Sequence, residues 1–211
     1  MQIHQIFPTT ILTEELGRPF TNEEMDFCVN SDFRPDVSTS SESPHSINLS
    51  VDHAVLENPI MSSIKESMMK AVDHYMFNIM NISDPATFYI SRSWFTRSKK
   101  GDFGRRHNHP NSILSGVFYF KASPGCGNIL FYDDKVSMFG STQFGYKSLN
   151  QLNSTDVSVP PVPGTLILFP SRMAHEIAVN QSTETRYSLS FDIWVHGTIG
   201  SNAGGGTILT L

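Results

Sequence analysis

The chain has 211 residues, 39% hydrophobic and 17% charged, with a net charge of −5. Its 15 Phe, 6 Tyr and 2 Trp can build a sizeable core, which excludes wholesale disorder and fits one domain with an N-terminal elaboration. No run of about 18 apolar residues is present, the first five residues lack a signal peptide's regions, and the acidic balance argues against a general phosphate-backbone binder.

Residues 1–13, apolar and threonine-bearing around Pro8, read as one or two short edge strands. Thr21 and Glu24 have the spacing of a reciprocal capping box, which predicts a helix from about Asn22 to Asn30. Residues 31–46 are rich in serine and proline and read as a loop, either a plain connection or a lid. Asn58 can cap the next helix, and Pro59 suits its first position. Ile60, Ile64, Met68, Val72, Tyr75 and Ile79 then recur every three or four residues, predicting an amphipathic helix of five or six turns. Its methionines (Met61, Met68, Met69, Met76, Met80) suit an irregular surface beneath a twisted sheet.

From residue 86 the pattern changes to short alternating runs between Gly, Pro, Asn and Asp turn signals. The expected strands cover 86–98, 103–109, 113–121, 128–133, 157–159, 165–169, 174–179 and 185–195, with a long polar connection over 134–156. A Gly-rich tail starts at Gly197, where Ile208-Leu209 could add an edge strand. Eight strands in two sheets, covered on one face by helices, predict a mainly β chain with N-terminal helices. The architecture is a double-stranded β-helix, the cupin-like jelly roll, with one long supporting helix. Residues 1–85 would pack on the barrel, 86–196 would form the barrel and catalytic core, and 197–211 the tail. Cys28 and Cys126 match no zinc spacing, so a reduced, cytoplasmic compartment is expected.

His107-Asn108-His109 closes a predicted strand just before Pro110. Residues i and i+2 of a strand share a face, so both imidazoles can converge on one iron, copper, nickel or zinc ion. His175 follows a turn, a buried strand and a second turn, and is expected on the far side of the barrel from the His-x-His strand. A partly buried surface histidine is the other reading of it. Along the last long strand Arg186, Ser188, Ser190, Asp192 and Trp194 fall on one face, and Tyr187, Leu189, Phe191, Ile193 and Val195 on the other. The apolar face should pack on the Met-rich helix. The polar face then looks into the barrel, where an unpaired guanidinium is costly and a bidentate carboxylate is its best partner. That partner is either a ligand or an internal carboxylate such as Asp192.

The set His107-x-x-Pro110, His175 and Arg186-x-Ser188 resembles the Fe(II)- and 2-oxoglutarate-dependent dioxygenase superfamily. Val117-Phe118-Tyr119-Phe120, Leu168-Phe169-Pro170-Ser171, His175-Glu176-Ile177 and Thr185-Arg186-Tyr187-Ser188 resemble its prolyl-hydroxylase type. His-x-His-Pro followed by Ser-Gly-Val-aromatic-Tyr is also similar to an uncharacterised oxygenase-like group of bacteria and their phages. The resemblance covers about residues 88–196. It implies Fe(II), 2-oxoglutarate as co-substrate, and O2. The implied metal ligands are His107 and His175, with His109 as a third. Arg186, Ser188 and Tyr119 would hold the far carboxylate of 2-oxoglutarate, and no catalytic side chain beyond the ligands is implied. For Tyr119, a core role with its hydroxyl on the backbone is the other reading.

One position departs from the pattern, because His109 stands where the superfamily usually has Asp or Glu. Three readings follow: a three-histidine metal face, a two-histidine site completed by water, or metal binding without turnover. Two rivals stay open: a three-histidine cupin-like dioxygenase without 2-oxoglutarate, and a non-enzymatic jelly-roll interaction module. The expected substrate is a small molecule or a peptidyl group, with no nucleic-acid or membrane partner. An exposed edge near the N-terminus is where a homodimer would form. Arg105 and Arg106 read as a solvated pair or as contacts to an anionic substrate. Asn108 and Asn111 read as turn residues, and one of Trp94 and Phe95 should line the core. His4, His45, His53, His74 and His196 have no partner spacing and receive no role.

Overall fold

The computed structural model describes residues 2, 8–36, 45–83, 86–132, 145–150, 152–200 and 208–211. The N-terminal part contains β1 (Leu12–Glu15), α1 (Asn22–Val29), β2 (Phe33–Pro35), β3 (Asn48–Ser50) and α2 (Ser62–Asp73). The barrel adds β4 (Ala86–Ser98), β5 (Gly104–His107), β6 (Leu114–Lys121), β7 (Ile129–Tyr132) and β8 (Asp156–Val159). It continues through β9 (Thr165–Pro170), β10 (His175–Ile177), β11 (Arg186–Ile199) and β12 (Leu209–Thr210). All ladders are antiparallel. The larger sheet runs β1-β9-β6-β11-β4-β3-β2 with β12 on β11, and the smaller runs β5-β10-β7-β8. This is the expected jelly roll with helices on one face.

Alternation decides which side chains face which layer. Leu189, Phe191, Ile193 and Val195 of β11 join Phe95, Phe118, Leu166 and Leu168 on the outer face of the larger sheet. They pack there on Ile64, Met68, Ala71 and Val72 of α2. Each such side chain, fully buried, contributes about 1.5–3 kcal/mol before entropy is counted. The opposite face carries Val117, Tyr119, Ile167 and Phe169, which meet Ile129 and Phe131 of the smaller sheet. The space between the two sheets receives polar groups from β4, β5, β6, β10 and β11.

The capping box forms as read: Thr21 N donates to Glu24 Oε2 at 2.7 Å, and Glu24 N to Thr21 Oγ1 at 3.2 Å. The second helix is less regular than its periodicity implies. Asn58 accepts from Ile60 N and opens a 3₁₀ turn at Pro59–Met61 before α2 begins. His74–Ile79 then widens into a π-turn, with Met80 N donating to Tyr75 O at 2.9 Å. The wider turn shifts the helical phase, so Tyr75 and Met76 are buried while Ile79 is 39% exposed. The expectation that Ile79 joins the core is corrected accordingly.

Further differences concern short strands. The N-terminal edge strand is Leu12–Glu15 rather than a strand within 1–13, and residues 1 and 3–7 lie outside the described residues. Phe33–Pro35 is a strand inside the segment read as loop; residues 37–44 of that segment lie outside the described residues. So do 133–144 and 151 of the polar connection and 201–207 of the tail. Leu209 does add an edge strand, pairing with Ile199 and drawing β11 four residues past its expected end. No helix of the described residues is long and apolar enough to cross a membrane.

Candidate active site

The last residue of β5 and the first of β10 sit opposite each other, because His107 and His175 are direct cross-strand partners. The expectation that His175 lies on the far side of the barrel is corrected: short antiparallel neighbours bring both imidazoles to one point, with ring centroids 4.4 Å apart. His109 lies beyond the end of β5, so the simple i, i+2 strand geometry does not place it. Its backbone N–H instead donates to Ser171 O at 2.9 Å, and Ser171 N donates to Ile113 O. Asn111 between them adopts φ +59°, a left-handed conformation that asparagine tolerates, and turns the chain back into β6. One ligand nitrogen from each of His107, His109 and His175 then lies within 4.8 Å of the others.

The tautomers are set by the acceptors behind the rings. His107 Nδ1 donates to Arg105 O at 2.7 Å and His175 Nδ1 to Met173 O at 3.0 Å. A carbonyl can only accept, so both Nδ1 atoms carry the proton and both Nε2 lone pairs face the cluster. His109 Nδ1 donates to Asp192 Oδ1 at 2.5 Å. Its Nε2 stands 3.3 Å from His107 Nε2. Two nitrogens bound to one ion at about 2.1 Å are roughly 3.0–3.4 Å apart, so this spacing suits a shared transition-metal ion. Burial disfavours the charged imidazolium: it lowers the His107 pKa and pushes that of His175 down to about 3. Neutral, pre-oriented imidazoles are the form that binds a metal.

Arg186, Ser188 and Tyr119 line the same pocket as the three histidines, a cavity of about 450 Å³ between the sheets. Ser188 pairs with Tyr119 across the β11–β6 ladder. Arg186 is 1% exposed, and its Nη1 donates to Gly127 O at 2.9 Å. Among the described residues, its Nε and the buried Tyr119 hydroxyl have no hydrogen-bond partner. Burial lowers the Arg186 pKa and pushes that of Tyr119 up to about 12. The internal alternative for the guanidinium is not realised: among the described residues no carboxylate forms an ion pair with Arg186. The reason is distance along β11, since six residues of extended strand separate Arg186 from Asp192 by about 20 Å. Asp192 faces the other end of the pocket and His109. A buried guanidinium with no carboxylate and an unsatisfied Nε among the described residues, beside an unpartnered hydroxyl, is what the far carboxylate of 2-oxoglutarate would satisfy, so the residues present fit that group.

Sequence reasoning did not find the partners of His109. Ser115 Oγ donates to Asp192 Oδ1 at 2.7 Å and lies 2.8 Å from Ser171 Oγ, which bonds Ser112 Oγ. The available signal was alternation, which put Asp192 on the inward face of β11 without saying which residue it would meet. Trp94 and Phe95 are both buried on opposite faces: Phe95 joins the helix-side core with its ring 5.6 Å from Phe27 of α1, while Trp94 lines the pocket with its ring 5.7 Å from His109. The Arg92 guanidinium lies 4.6 Å over Trp94. Arg105 and Arg106 are exposed, and Arg106 stacks on Tyr132. His53 contacts Arg92, and His4 lies outside the described residues.

Residues 92–192 match the family described as "Putative 2OG-Fe(II) oxygenase", a stretch that runs from β4 into β11 and includes all three histidines, Tyr119, Arg186 and Ser188. Over that stretch, just under half of its length, the chain is similar to the 2OG-Fe(II) oxygenases. Solved structures share the fold at low identity. The epimerase SnoN, in complex with Fe3+, alpha ketoglutarate and nogalamycin RO, aligns with TM-score 0.61 at 11% identity, over 89% of this chain and 81% of that one. A Pseudomonas putida prolyl-4-hydroxylase aligns with TM-score 0.53 at 17% identity, over 87% and 92%. A Trichoplax adhaerens prolyl hydroxylase, in complex with a hypoxia inducible factor peptide fragment, aligns with TM-score 0.55 at 15% identity, over 88% and 82%. No curated protein matches the chain.

Proposed function

We propose that the chain is an Fe(II)- and 2-oxoglutarate-dependent dioxygenase of the hydroxylase type, with residues 86–196 as its catalytic core. Oxidative decarboxylation of 2-oxoglutarate is coupled to oxidation of a substrate C–H bond. The observation that carries the reading is the meeting, in one pocket, of three oriented imidazoles and a buried guanidinium without a carboxylate partner among the described residues. His107, His109 and His175 would hold the iron, and Arg186, Ser188 and Tyr119 the far carboxylate of 2-oxoglutarate. Bound together, iron and 2-oxoglutarate supply oxidising chemistry that no protein side chain possesses.

The chain's own contribution is orientation and exclusion of water. The carbonyls of Arg105 and Met173 hold two rings in the metal-binding tautomer, so neither of these rings needs to flip first. Ile129 and Phe169, both nearly inaccessible, line the pocket and raise the strength of every electrostatic contact inside it. Trp94 and Arg92 form a flat, cationic flank on which a substrate can lie. Solved relatives of this fold include one with a peptide and one with a small molecule, which supports either substrate class here. We take the cytoplasm as the compartment, in keeping with two free, buried cysteines, and β1 as the edge a second copy would extend.

Anaerobic titration of 2-oxoglutarate into the Fe(II)-loaded protein tests the reading. A keto acid chelating iron gives a visible charge-transfer band, and the expected result is a saturable band at one equivalent. Its absence from an iron-loaded protein overturns the assignment. A three-histidine dioxygenase without 2-oxoglutarate predicts that absence, but it leaves the Arg186 charge without a carboxylate among the described residues.

A further inference from the structure

The three histidines are not held alike. Behind His107 and His175 stand backbone carbonyls two residues upstream, which are neutral acceptors available to any sequence. Behind His109 stands a carboxylate from a different strand, Asp192 of β11, at 2.5 Å. Asp192 is 7% exposed, and His109 is its only ion-pair partner among the described residues. A buried carboxylate without an Arg or Lys must be stabilised by hydrogen bonds, and here a small network supplies them. Ser115 Oγ donates to Asp192 Oδ1 at 2.7 Å, and also lies 2.9 Å from His109 Nδ1. Ser171 Oγ lies 2.8 Å from Ser115 Oγ and donates to Ser112 at 2.8 Å. Ser112 closes the chain on the backbone oxygens of Leu114 and Ile193. The serine chain fixes the carboxylate, and the carboxylate fixes the ring.

This arrangement stands at the one position where the chain departs from the His-x-Asp or His-x-Glu pattern. We propose that Asp192 is the positioning residue of the metal centre: it supplies, one bond further out, the negative charge that a carboxylate ligand would have brought. Through the Nδ1–H bond it holds His109 Nε2 toward His107 and His175 and makes that nitrogen a stronger donor. The rule that a carboxylate behind a metal-bound imidazole orients it and raises its basicity is general. The inference rests on the metal-site reading above, and adds that His109 ligates only because Asp192 is in place. Ser115 and Ser171 hold Asp192 and do not act on the metal themselves.

Anaerobic titration with Co(II), whose visible spectrum reports its coordination, tests this on four proteins: wild type, Asp192→Asn, His109→Ala and the double variant. Asp192→Asn keeps size and polarity, but an amide can donate to Nδ1 and so favour the tautomer with its proton on Nε2. The expected loss of Co(II) affinity is about 10–100-fold, the usual range for an outer partner of a metal-bound histidine. The double variant should bind no more weakly than His109→Ala, because Asp192 acts through that ring. Equal affinity and spectra for wild type and Asp192→Asn overturn the proposal. So does an equal loss in the His109→Ala background, which would make Asp192 merely structural. Wild type that takes up no Co(II) overturns the metal-site reading, and this inference with it. If Asp192→Asn does not fold, imidazole ¹⁵N spectra of the metal-free wild type decide. His109 protonated on Nδ1 supports the proposal, and His109 protonated on Nε2 overturns it.

Discussion

Arg186→Ala is the substitution that most sharply separates a ligand-binding role from a structural one. The guanidinium is 1% exposed and makes one good hydrogen bond, Nη1 to Gly127 O at 2.9 Å, while its Nε has none. A cation in that state carries most of its desolvation cost uncompensated until an anion arrives. Truncating one partner of a buried, hydrogen-bonded charge pair costs about 2–5 kcal/mol. On the proposed binding mode Ser188 and Tyr119 would stay beside the carboxylate and the keto-acid end of 2-oxoglutarate would be untouched, so the lower part of that range applies. The Kd for 2-oxoglutarate should therefore rise about 30- to 200-fold. Iron affinity should not change, because arginine is not a metal ligand. Arg186→Lys should recover only part of the loss, since an ammonium cannot make the two-pronged contact. Calorimetric titration of 2-oxoglutarate into the anaerobic, iron-loaded variants, beside a thermal melt, reads all of this. An unchanged Kd refutes the reasoning. A lowered Tm with an unchanged Kd would instead make Arg186 a strut for the turn at Gly127.

Three further outcomes are expected. His107→Ala and His175→Ala should each abolish stoichiometric iron binding with the far-ultraviolet spectrum unchanged, and full occupancy in either variant removes that histidine from the site. Gly116→Ala should destabilise the fold by about 1–3 kcal/mol in urea, as overpacking of a rigid core does. A Cβ there would lie 2.3 Å from Phe191 Cζ and 2.9 Å from Leu168 Cδ2, both fully buried, so an unchanged midpoint would show that the ring can move aside. The metal-free protein should lose stability as pH falls, because the folded-state pKa of His175 is pushed down to about 3 against about 6.5 for an unfolded histidine. Between those values the unfolded chain binds more protons, so unfolding becomes easier toward acid. His175→Gln should flatten the melting-temperature profile in that window, and an identical slope in the variant refutes the assignment.

Local chemistry was legible wherever a residue's nearest partners in sequence are also its partners in space. Thr21 and Glu24 find each other across one helical turn, so their box formed as read. The alternation of β11 sorted its side chains between the α2 face and the pocket, because period-2 geometry is intrinsic to an extended strand. Arg186 and Ser188 were legible as inward-facing polar groups of β11, while His107, His109, His175 and Tyr119 were singled out by spacing and by the family resemblance; all six line one pocket. Register between strands distant in sequence was not visible. That His175 sits directly opposite His107, and that Asp192 serves His109 rather than Arg186, depends on which strands pair and at which residue. The same holds for the π-turn that carries Met76 inward and Ile79 outward, and for β2 and β3, too short to show a period. Pairing energy is spread over whole sheets, so only the folded chain decides which of several inward-facing carboxylates and cations end up in contact.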